Sequence, residues 1–353
     1  MRVVVGMSGG VDSSVAALIL KKEGHEVIGV TMKLWDCFKT AARQSCCSTA
    51  DSIDALRVCE QIGIRHHVVD MRPAFKKEVV EYFVNEYSSG RTPNPCIKCN
   101  EALKFNLLRN KTLELFGTDL IATGHYAKIQ KNDGGNFSLL KGVDSNKDQS
   151  YFLFTLTPEQ LAKTIFPVGC LAKAEVRKMA MNAGLKTAEK SESQEICFIP
   201  DNDYAGFIAG FYPEAAKPAG DFVDKSGHIV GRHAGAHSYT IGQRRGLGFG
   251  VGKRQYVTAI AADKNEIALG SNEDLMKKEA FVNNVAWINE FPKCDFKLSV
   301  KIRYKHSGAD AAIELLDNNR AKIIFENPQR ALTPGQAAVF YNGDEVIGGG
   351  WIE

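Results

Sequence analysis

From Arg2 to about Pro200, short apolar runs alternate with helical periodicity, the pattern of repeated strand, helix, strand units around a parallel sheet. The strand candidates are Val3 to Gly6, Val27 to Met32, His67 to Met71 and Leu120 to Thr123. Between the first two, Val11, Val15, Leu18 and Ile19 recur at helical spacing, and Gly24 closes the segment as a C-cap. A second regime begins near Asn202: Gly and Pro become frequent, helical periodicity fades, and short β elements are expected. From about Ala280, alternating stretches such as Lys297 to Tyr304 and Ala321 to Phe325 end in turn residues, as in a small β-barrel. The predicted architecture is α/β: a parallel-sheet, Rossmann-like domain over 1–201, a central mostly β domain over 202–275 and a C-terminal β-barrel over 276–353.

Length supports that division, since 353 residues suit two or three cored domains, and a 44% hydrophobic composition excludes a disordered chain. A net charge of +3 points to no partner by itself. The first strand begins almost at the initiator Met, which leaves no room for a signal or transit segment, and no apolar run is long enough to span a bilayer. A cytoplasmic protein with no membrane partner is therefore expected. There the nine cysteines should be reduced unless catalytic, metal-bound or transiently oxidised.

Between the first strand and the first helix lies Gly6, Met7, Ser8, Gly9, Gly10, Val11, Asp12, Ser13, Ser14. Glycines let backbone N–H groups approach an anion closely, and Ser8, Ser13 and Ser14 add hydroxyl donors beside a positive helix N-terminus. The loop should hold phosphate or pyrophosphate; a turn that merely caps the helix is the bland competitor. It is neither a Walker A loop nor G-x-G-x-x-G, which disfavours a kinase acting on the γ-phosphate. S-G-G-V-D-S resembles the PP-loop of N-type ATP pyrophosphatases, proteins that cleave ATP between the α- and β-phosphates and adenylate a carbonyl oxygen. Asp12 is a candidate for orienting magnesium or the loop itself.

Cys96 and Cys99 lie in Gly90 to Asn100, where Pro93 and Pro95 are expected to set an extended loop ahead of an apolar helix starting near Ala102. Beside Lys98 and Arg91, such thiols should have a lowered pKa and a more nucleophilic thiolate. Half of a zinc site is the competing reading, but no second C-x-x-C or spaced His pair completes it. Cys197, next to Phe198 and Ile199, reads alone as a buried core cysteine, as do Cys37, Cys46, Cys47, Cys59, Cys170 and Cys294. Between Ser226 and Ala262 there is no acidic residue, whereas Arg232, Arg244, Arg245, Lys253 and Arg254 accompany His228, His233 and His237. Such a stretch suits an RNA backbone or a solvated face about equally; Lys301, Arg303, Tyr304, Lys305 and His306 repeat the theme, with Tyr304 able to stack on a base.

Taken with G-R-T-P-N-P-x-x-x-C-N at Gly90 to Asn100, A-T-G-H-Y-A at Ala122 to Ala127, K-D-Q-S-Y-F-L at Lys147 to Leu153, S-x-x-I-C-F-I ending at Ile199 and Y-T-I-G-Q-R-R-G-L at Tyr239 to Leu247, the chain resembles the tRNA-specific 2-thiouridylase family nearly end to end. The resemblance implies that the first domain is a PP-loop ATP pyrophosphatase domain and that both β domains contact tRNA. It implies a reaction in which the wobble uridine is flipped out, adenylated on its 2-carbonyl oxygen and given sulfur from a cysteine persulfide. By the same resemblance Cys99 is the nucleophile, Cys197 carries the persulfide received from a sulfur-relay or cysteine-desulfurase-type protein, and a Cys99–Cys197 disulfide is the transient product. ATP is placed at Gly6, Met7, Ser8, Gly9, Gly10, Val11, Asp12 and Ser13 with Met32 and Gly124; the target base near Asn94, Pro95 and Cys96; and tRNA near His125, Lys147, Asp148, Gln149, Arg303, Tyr304 and Gln336.

The family more often has Asp where this chain has Cys96, which opens an alternative route through an iron-sulfur cluster on Cys96, Cys99 and Cys197. Two rivals complete the field: a PP-loop ligase forming an amide or amidine, which needs no thiols, and a non-catalytic RNA-binding protein that uses ATP only for ordering.

Overall fold

In the computed structural model, residues 1–35, 49–132, 134–191, 196–199, 202–248, 254–289 and 297–353 are described. The first seven strands are β1 (Arg2–Gly6), β2 (Glu26–Lys33), β3 (Arg65–Asp70), β4 (Ile121–Ala122), β5 (Ala127–Lys131), β6 (Phe137–Lys141) and β7 (Thr164–Ile165). Five of them form a parallel sheet in the order β3-β2-β1-β4-β7. Val3, Val4 and Val5 are fully buried because the central strand is covered on both faces, the reason β1 reads as a continuous apolar run. All four strand candidates are present, each within about two residues of its expected ends; β7, only two residues long, carries too little pattern to be read.

Helices α1 (Val11–Lys22), α2 (Thr49–Ile62) and a later helix over Lys173–Asn182 cover one face. On the other face lie α3, continuous over 72–88, and α4, continuous over 95–116, each containing a π-helical stretch. Gly24 ends α1 as expected: its φ is +83°, its N–H reaches the Lys21 carbonyl at 3.1 Å, and His25 N–H reaches Leu20 O at 3.1 Å.

Beyond residue 201 the first element is a helix, Tyr204–Phe211, where only short β elements were expected. Gly206 and Gly210 weaken its propensity, so packing decides: Phe207 joins Trp35, Phe83 and Phe198 in an aromatic cluster of the first domain, with ring centroids 5.4–6.5 Å apart. A four-stranded sheet follows, β8 (Gly220–Val223), β9 (Ile229–His233), β10 (Tyr256–Ala261) and β11 (Glu266–Gly270), in the order β10-β11-β8-β9. The last six strands, β12 (Met276–Trp287), β13 (Lys297–Lys301), β14 (Ala309–Leu316), β15 (Arg320–Arg330), β16 (Ala337–Asn342) and β17 (Glu345–Ile352), close into an antiparallel barrel through the β12–β17 pairing. The first domain also contributes to this sheet, because the β5–β6 hairpin adds onto β17 with Leu140 opposite Glu345 and Leu139 opposite Val346. No helix among the described residues is long and apolar enough to cross a membrane.

Burial holds the imidazoles of His66, His125, His233, His237 and His306 below the usual histidine value. Unfolding returns each to its ordinary pKa, so in the window between the two values the unfolded chain binds more protons and stability falls with falling pH. The melting midpoint should therefore stay level above about pH 7 and drop between about pH 6.5 and about pH 5. A midpoint that is flat or rising across that interval contradicts the assignment.

Candidate active site

The loop between β1 and α1 is built from its own hydroxyls. Ser13 Oγ accepts from Ser8 N–H at 3.2 Å and donates to the Gly10 carbonyl at 3.1 Å, while Ser14 Oγ donates to the same carbonyl at 2.8 Å. Met7 N–H bonds Val30 O at 2.8 Å, and Thr31 Oγ1 donates to Met7 O at 3.0 Å, fixing the loop to β2. Gly10 caps α1 without a side-chain hydrogen bond, which leaves the first amides of the helix for an anion. Gly9, at φ +71°, lies so close to the Asp51 backbone that a Cβ would collide with it. Of the other residues expected at ATP, Gly6 ends β1, Met7 and Val11 are buried in the sheet core, Met32 packs partly buried on the opposite face, and Gly124 lies against the Asp12–Ser13 backbone.

Asp12 does not present a bare carboxylate. Lys173 Nζ donates to its two oxygens at 2.7 and 2.8 Å, and the Tyr126 hydroxyl donates to Oδ1 at 2.7 Å. Of the two roles expected for it, ordering the loop is the one this geometry fits. Lys173 and Tyr126 were invisible as site residues in the sequence, since neither belongs to a motif whose spacing points at Asp12.

The thiols are presented differently from expectation. Instead of an extended loop ending near Ala102, α4 already begins at Pro95, with Asn94 as N-cap accepting from Ile97 N–H at 3.4 Å. The dipeptide Asn-Pro is a helix-start signal in its own right, because proline at the first helical position lacks only a donor that would be unpaired anyway. Cys96 therefore sits exposed in the first turn, and Cys99 is buried at the start of the π-helical stretch Cys99–Leu107. Cys197 is half-buried at the edge of the hydrophobic cluster that contains Cys99, together with Phe83, Leu103 and Phe198. Two thiols far apart in sequence thus border one large hydrophobic cluster. The nearby cations are shared with carboxylates: Arg91 is bidentate on Glu86, with Nε 2.9 Å from Oε2, and Lys98 Nζ donates to Glu101 at 2.9 Å.

Among the described residues, no group of three or more His, Cys, Asp or Glu side chains is placed to hold a metal ion. Burial pushes the Cys59 thiol up to about 12, consistent with an inert core cysteine, whereas Cys170 is exposed rather than buried. Cys37, Cys46, Cys47, Cys294 and Lys253 lie outside the described residues.

All three domains converge on the turn before α4. The barrel residue Gln336 donates Nε2 to Thr92 O at 3.0 Å and Pro93 O at 3.2 Å, and Thr92 N–H reaches Pro334 O at 2.8 Å. From the central domain, Thr240 Oγ1 meets Thr92 Oγ1 at 3.2 Å, and Tyr204 stacks on Tyr87 with centroids 4.5 Å apart. Gln336 thus braces the turn that leads into Asn94, Pro95 and Cys96. Gln336→Ala should raise the KM for RNA several-fold with a melting midpoint within a few degrees of the parent, about 1 kcal/mol for the lost bonds. An unchanged KM, read in a steady-state assay, would remove that role.

Several residues expected at RNA turn inward. Asp148 accepts from Gly142 and Ser150 N–H, both at 3.1 Å, and Gln149 Oε1 accepts from Tyr126 N–H at 3.0 Å. Asp-x-Ser was readable as a self-bonded turn. His125 pairs with Thr123 Oγ1 at 2.7 Å and packs against Phe105 and Phe166, and this burial keeps it neutral. Lys147 is half-exposed; Arg303 donates to Arg330 O at 3.2 Å; Tyr304 lies 4.5 Å from the Phe152 ring. In the basic stretch, His233 and His237 are buried while Arg244, Arg245 and Arg254 are exposed.

A parallel α/β domain with an uncapped Ser-Gly loop, two thiols bordering one hydrophobic cluster and two β domains clamped to the same turn points to a nucleotide-dependent enzyme with appended β modules. Family models for the tRNA methyl transferase HUP domain, the tRNA methyl transferase PRC-barrel domain and the aminomethyltransferase beta-barrel domain match residues 1–201, 206–271 and 277–352. The tRNA-specific 2-thiouridylase MnmA of Geobacter metallireducens is 49% identical over 357 residues, covering 100% of this chain and 96% of that protein. MnmA proteins of Lachnoclostridium phytofermentans (47% identity, 99% of each chain) and Carboxydothermus hydrogenoformans (45%, covering 100% of this chain and 97% of that one) are similar end to end. The chain belongs to the tRNA-specific 2-thiouridylase family.

Proposed function

We propose that this protein is an ATP-dependent tRNA 2-thiouridylase that replaces the 2-oxygen of the wobble uridine with sulfur. The observation that supports the reading is that Cys99 and Cys197 both border one hydrophobic cluster, in the same domain as a loop whose helix opens without a side-chain cap. Full-length similarity to 2-thiouridylases supports it. A base atom inside structured RNA is reachable only after the nucleotide is extruded, and the turn at Asn94 to Cys96, braced by two further domains, is suited to receive it. The uridine 2-oxygen attacks the α-phosphorus of ATP, and pyrophosphate leaves into the loop, where amides and serine hydroxyls offset its charge. Magnesium arriving with the nucleotide would neutralise phosphate charge, while Asp12 holds the loop through Lys173.

The terminal sulfur of a Cys197 persulfide then bonds to the activated carbon, whose bond to the adenylate oxygen breaks to release AMP. The Cys99 thiolate attacks Sγ of Cys197, so the disulfide forms while the electron pair of the cleaved S–S bond stays with the transferred sulfur. A cellular thiol reduces the disulfide, and a sulfur-relay or cysteine-desulfurase-type protein reloads Cys197. Exposed Arg244, Arg245 and Arg254, with Lys147, Arg303 and Tyr304, provide the tRNA-facing surface in this scheme, and a cytoplasmic setting follows from the substrate. The test is nucleoside mass spectrometry of tRNA incubated with enzyme, ATP and a persulfide donor. ATP-dependent 2-thiouridine, with AMP and pyrophosphate in equal amounts, is expected; a methylated uridine, or no modified base, rejects the assignment.

A further inference from the structure

Behind the phosphate loop stands a cation that the sulfur-transfer scheme leaves unused. Lys190 Nζ donates to three acceptors: the Gly9 carbonyl at 3.1 Å, Asp51 Oδ1 at 2.6 Å and Asp54 Oδ2 at 2.7 Å. Its backbone is fixed as well, since the Arg177 guanidinium donates to Ala188 O at 2.8 Å and to Lys190 O at 3.4 Å. Burial works against the ammonium, but its bonds to Asp51 and Asp54 outweigh that cost and hold its pKa above the usual lysine value. The cation therefore persists across the neutral range.

Two physical consequences follow. In a trans peptide the N–H points opposite to the C=O, so turning Gly9 O back toward Lys190 turns the Gly10 N–H to the other side of the loop, where α1 opens without a side-chain cap. A cation on that carbonyl also polarises the peptide and strengthens its amide as a donor to an anion. The second consequence is electrostatic. Asp51 and Asp54 set two carboxylates behind a loop shaped for a polyanion, and α2 cannot retreat, because its Asp51 backbone packs directly on Gly9. Lys190 offsets their charge where it would otherwise oppose phosphate.

We propose that Lys190 is a positioning residue of the phosphate loop, aiming the Gly10 amide at pyrophosphate and shielding pyrophosphate from Asp51 and Asp54. The proposal rests on the loop being the ATP site. Its competitor is a plain ion-pair staple between α2 and the 186–190 segment, with no bearing on the anion.

The two are separated by titrating inorganic pyrophosphate calorimetrically into the full-length chain and by measuring KM for ATP and for tRNA. Lys190→Met should weaken pyrophosphate about tenfold or more and raise the KM for ATP while sparing that for tRNA. Lys190→Arg should restore most of the affinity. The triple variant Lys190→Met/Asp51→Asn/Asp54→Asn should recover part of it, since the repulsion is gone; a staple predicts no recovery. Wild-type affinity in Lys190→Met, or a triple variant no better than Lys190→Met, overturns the proposal. Should Lys190→Met not fold, Asp54→Asn is decisive: losing one carboxylate while the cation stays must tighten pyrophosphate binding, and unchanged or weaker binding refutes the shielding. Wild-type protein that binds no pyrophosphate would instead sink the ATP-site assignment itself.

Discussion

Cys197→Ser and Cys99→Ser will each bind tRNA and ATP, release pyrophosphate in a tRNA-dependent manner, and make no measurable 2-thiouridine. Adenylation uses the uridine oxygen and the phosphate loop, neither of which needs a thiol, so the first half of the reaction survives. Sulfur transfer does need both, one to carry the persulfide and one to open it, and removing a covalent nucleophile typically lowers turnover by about 10,000-fold or more. Serine is nearly isosteric with cysteine. At buried Cys99 and half-buried Cys197 it should cost only about 1–2 kcal/mol of stability, which a melting curve will register without loss of fold. Cys96→Ser, at an exposed position in the first turn of α4, should retain thiolation, which also separates the persulfide route from a cluster requiring all three thiols. Thiolation at the parental rate by either the Cys99 or the Cys197 variant would remove that residue from the chemistry, and loss of tRNA-dependent pyrophosphate release in both would shift the thiols to a structural role.

That Cys197 borders the same hydrophobic cluster as Cys99 could not be read from local pattern, because a cysteine beside Phe198 and Ile199 looks like any buried thiol. Only the resemblance raised its status; in the fold its neighbour Phe198 packs on Phe75, Phe83 and Phe207 within the cluster that also contains Cys99. The phosphate loop was legible for the opposite reason: its glycines, its serines and its place between a valine-rich strand and a periodic helix are all local. The same holds for the four strand candidates, whose apolar runs are local, and for the alternating stretches of the barrel.

Partners fixed only by tertiary packing were illegible. Lys173, Tyr126 and Lys190 reach the loop from remote segments, and nothing in the sequence around them marks an ion pair with Asp12 or a bond to Gly9. The helix Tyr204–Phe211 was hidden by its glycines and stabilised by aromatic rings of another domain. The start of α4 was a different kind of miss, since Asn94 and Pro95 spelled out a cap and a first helical position that the emphasis on two prolines concealed. Asp148 and Gln149, carried over as RNA contacts, also have structural partners: Asp148 accepts from Gly142 and Ser150 N–H, and Gln149 from Tyr126 N–H.

Replacing Gly124 with alanine should disturb the loop from outside it, without the backbone strain that a side chain at Gly9 would add. A Cβ there would lie 2.6 Å from the Asp12 carbonyl carbon and from Ser13 N, and 2.9 Å from Asp12 Cβ. Those atoms are the first turn of α1 rather than the end of a flexible side chain, so the turn itself must move. Displacement would pull Asp12 from Lys173 and Tyr126, leaving a buried ammonium without its best acceptor, and would carry the free amides of α1 away from the anion. Overpacking of this kind costs about 1–3 kcal/mol in stability, and a shift of about 1 Å in a positioning element costs about 100-fold in function. ATP binding by calorimetry should accordingly fall at least about 100-fold, with tRNA binding nearly intact. Gly210→Ala is the matched control, because a Cβ there meets no atom within 4 Å in the helix Tyr204–Phe211, and it should leave ATP binding unchanged. Parental ATP affinity in Gly124→Ala would mean that the loop does not depend on its contact with the end of β4, and the phosphate site would have to be sought elsewhere.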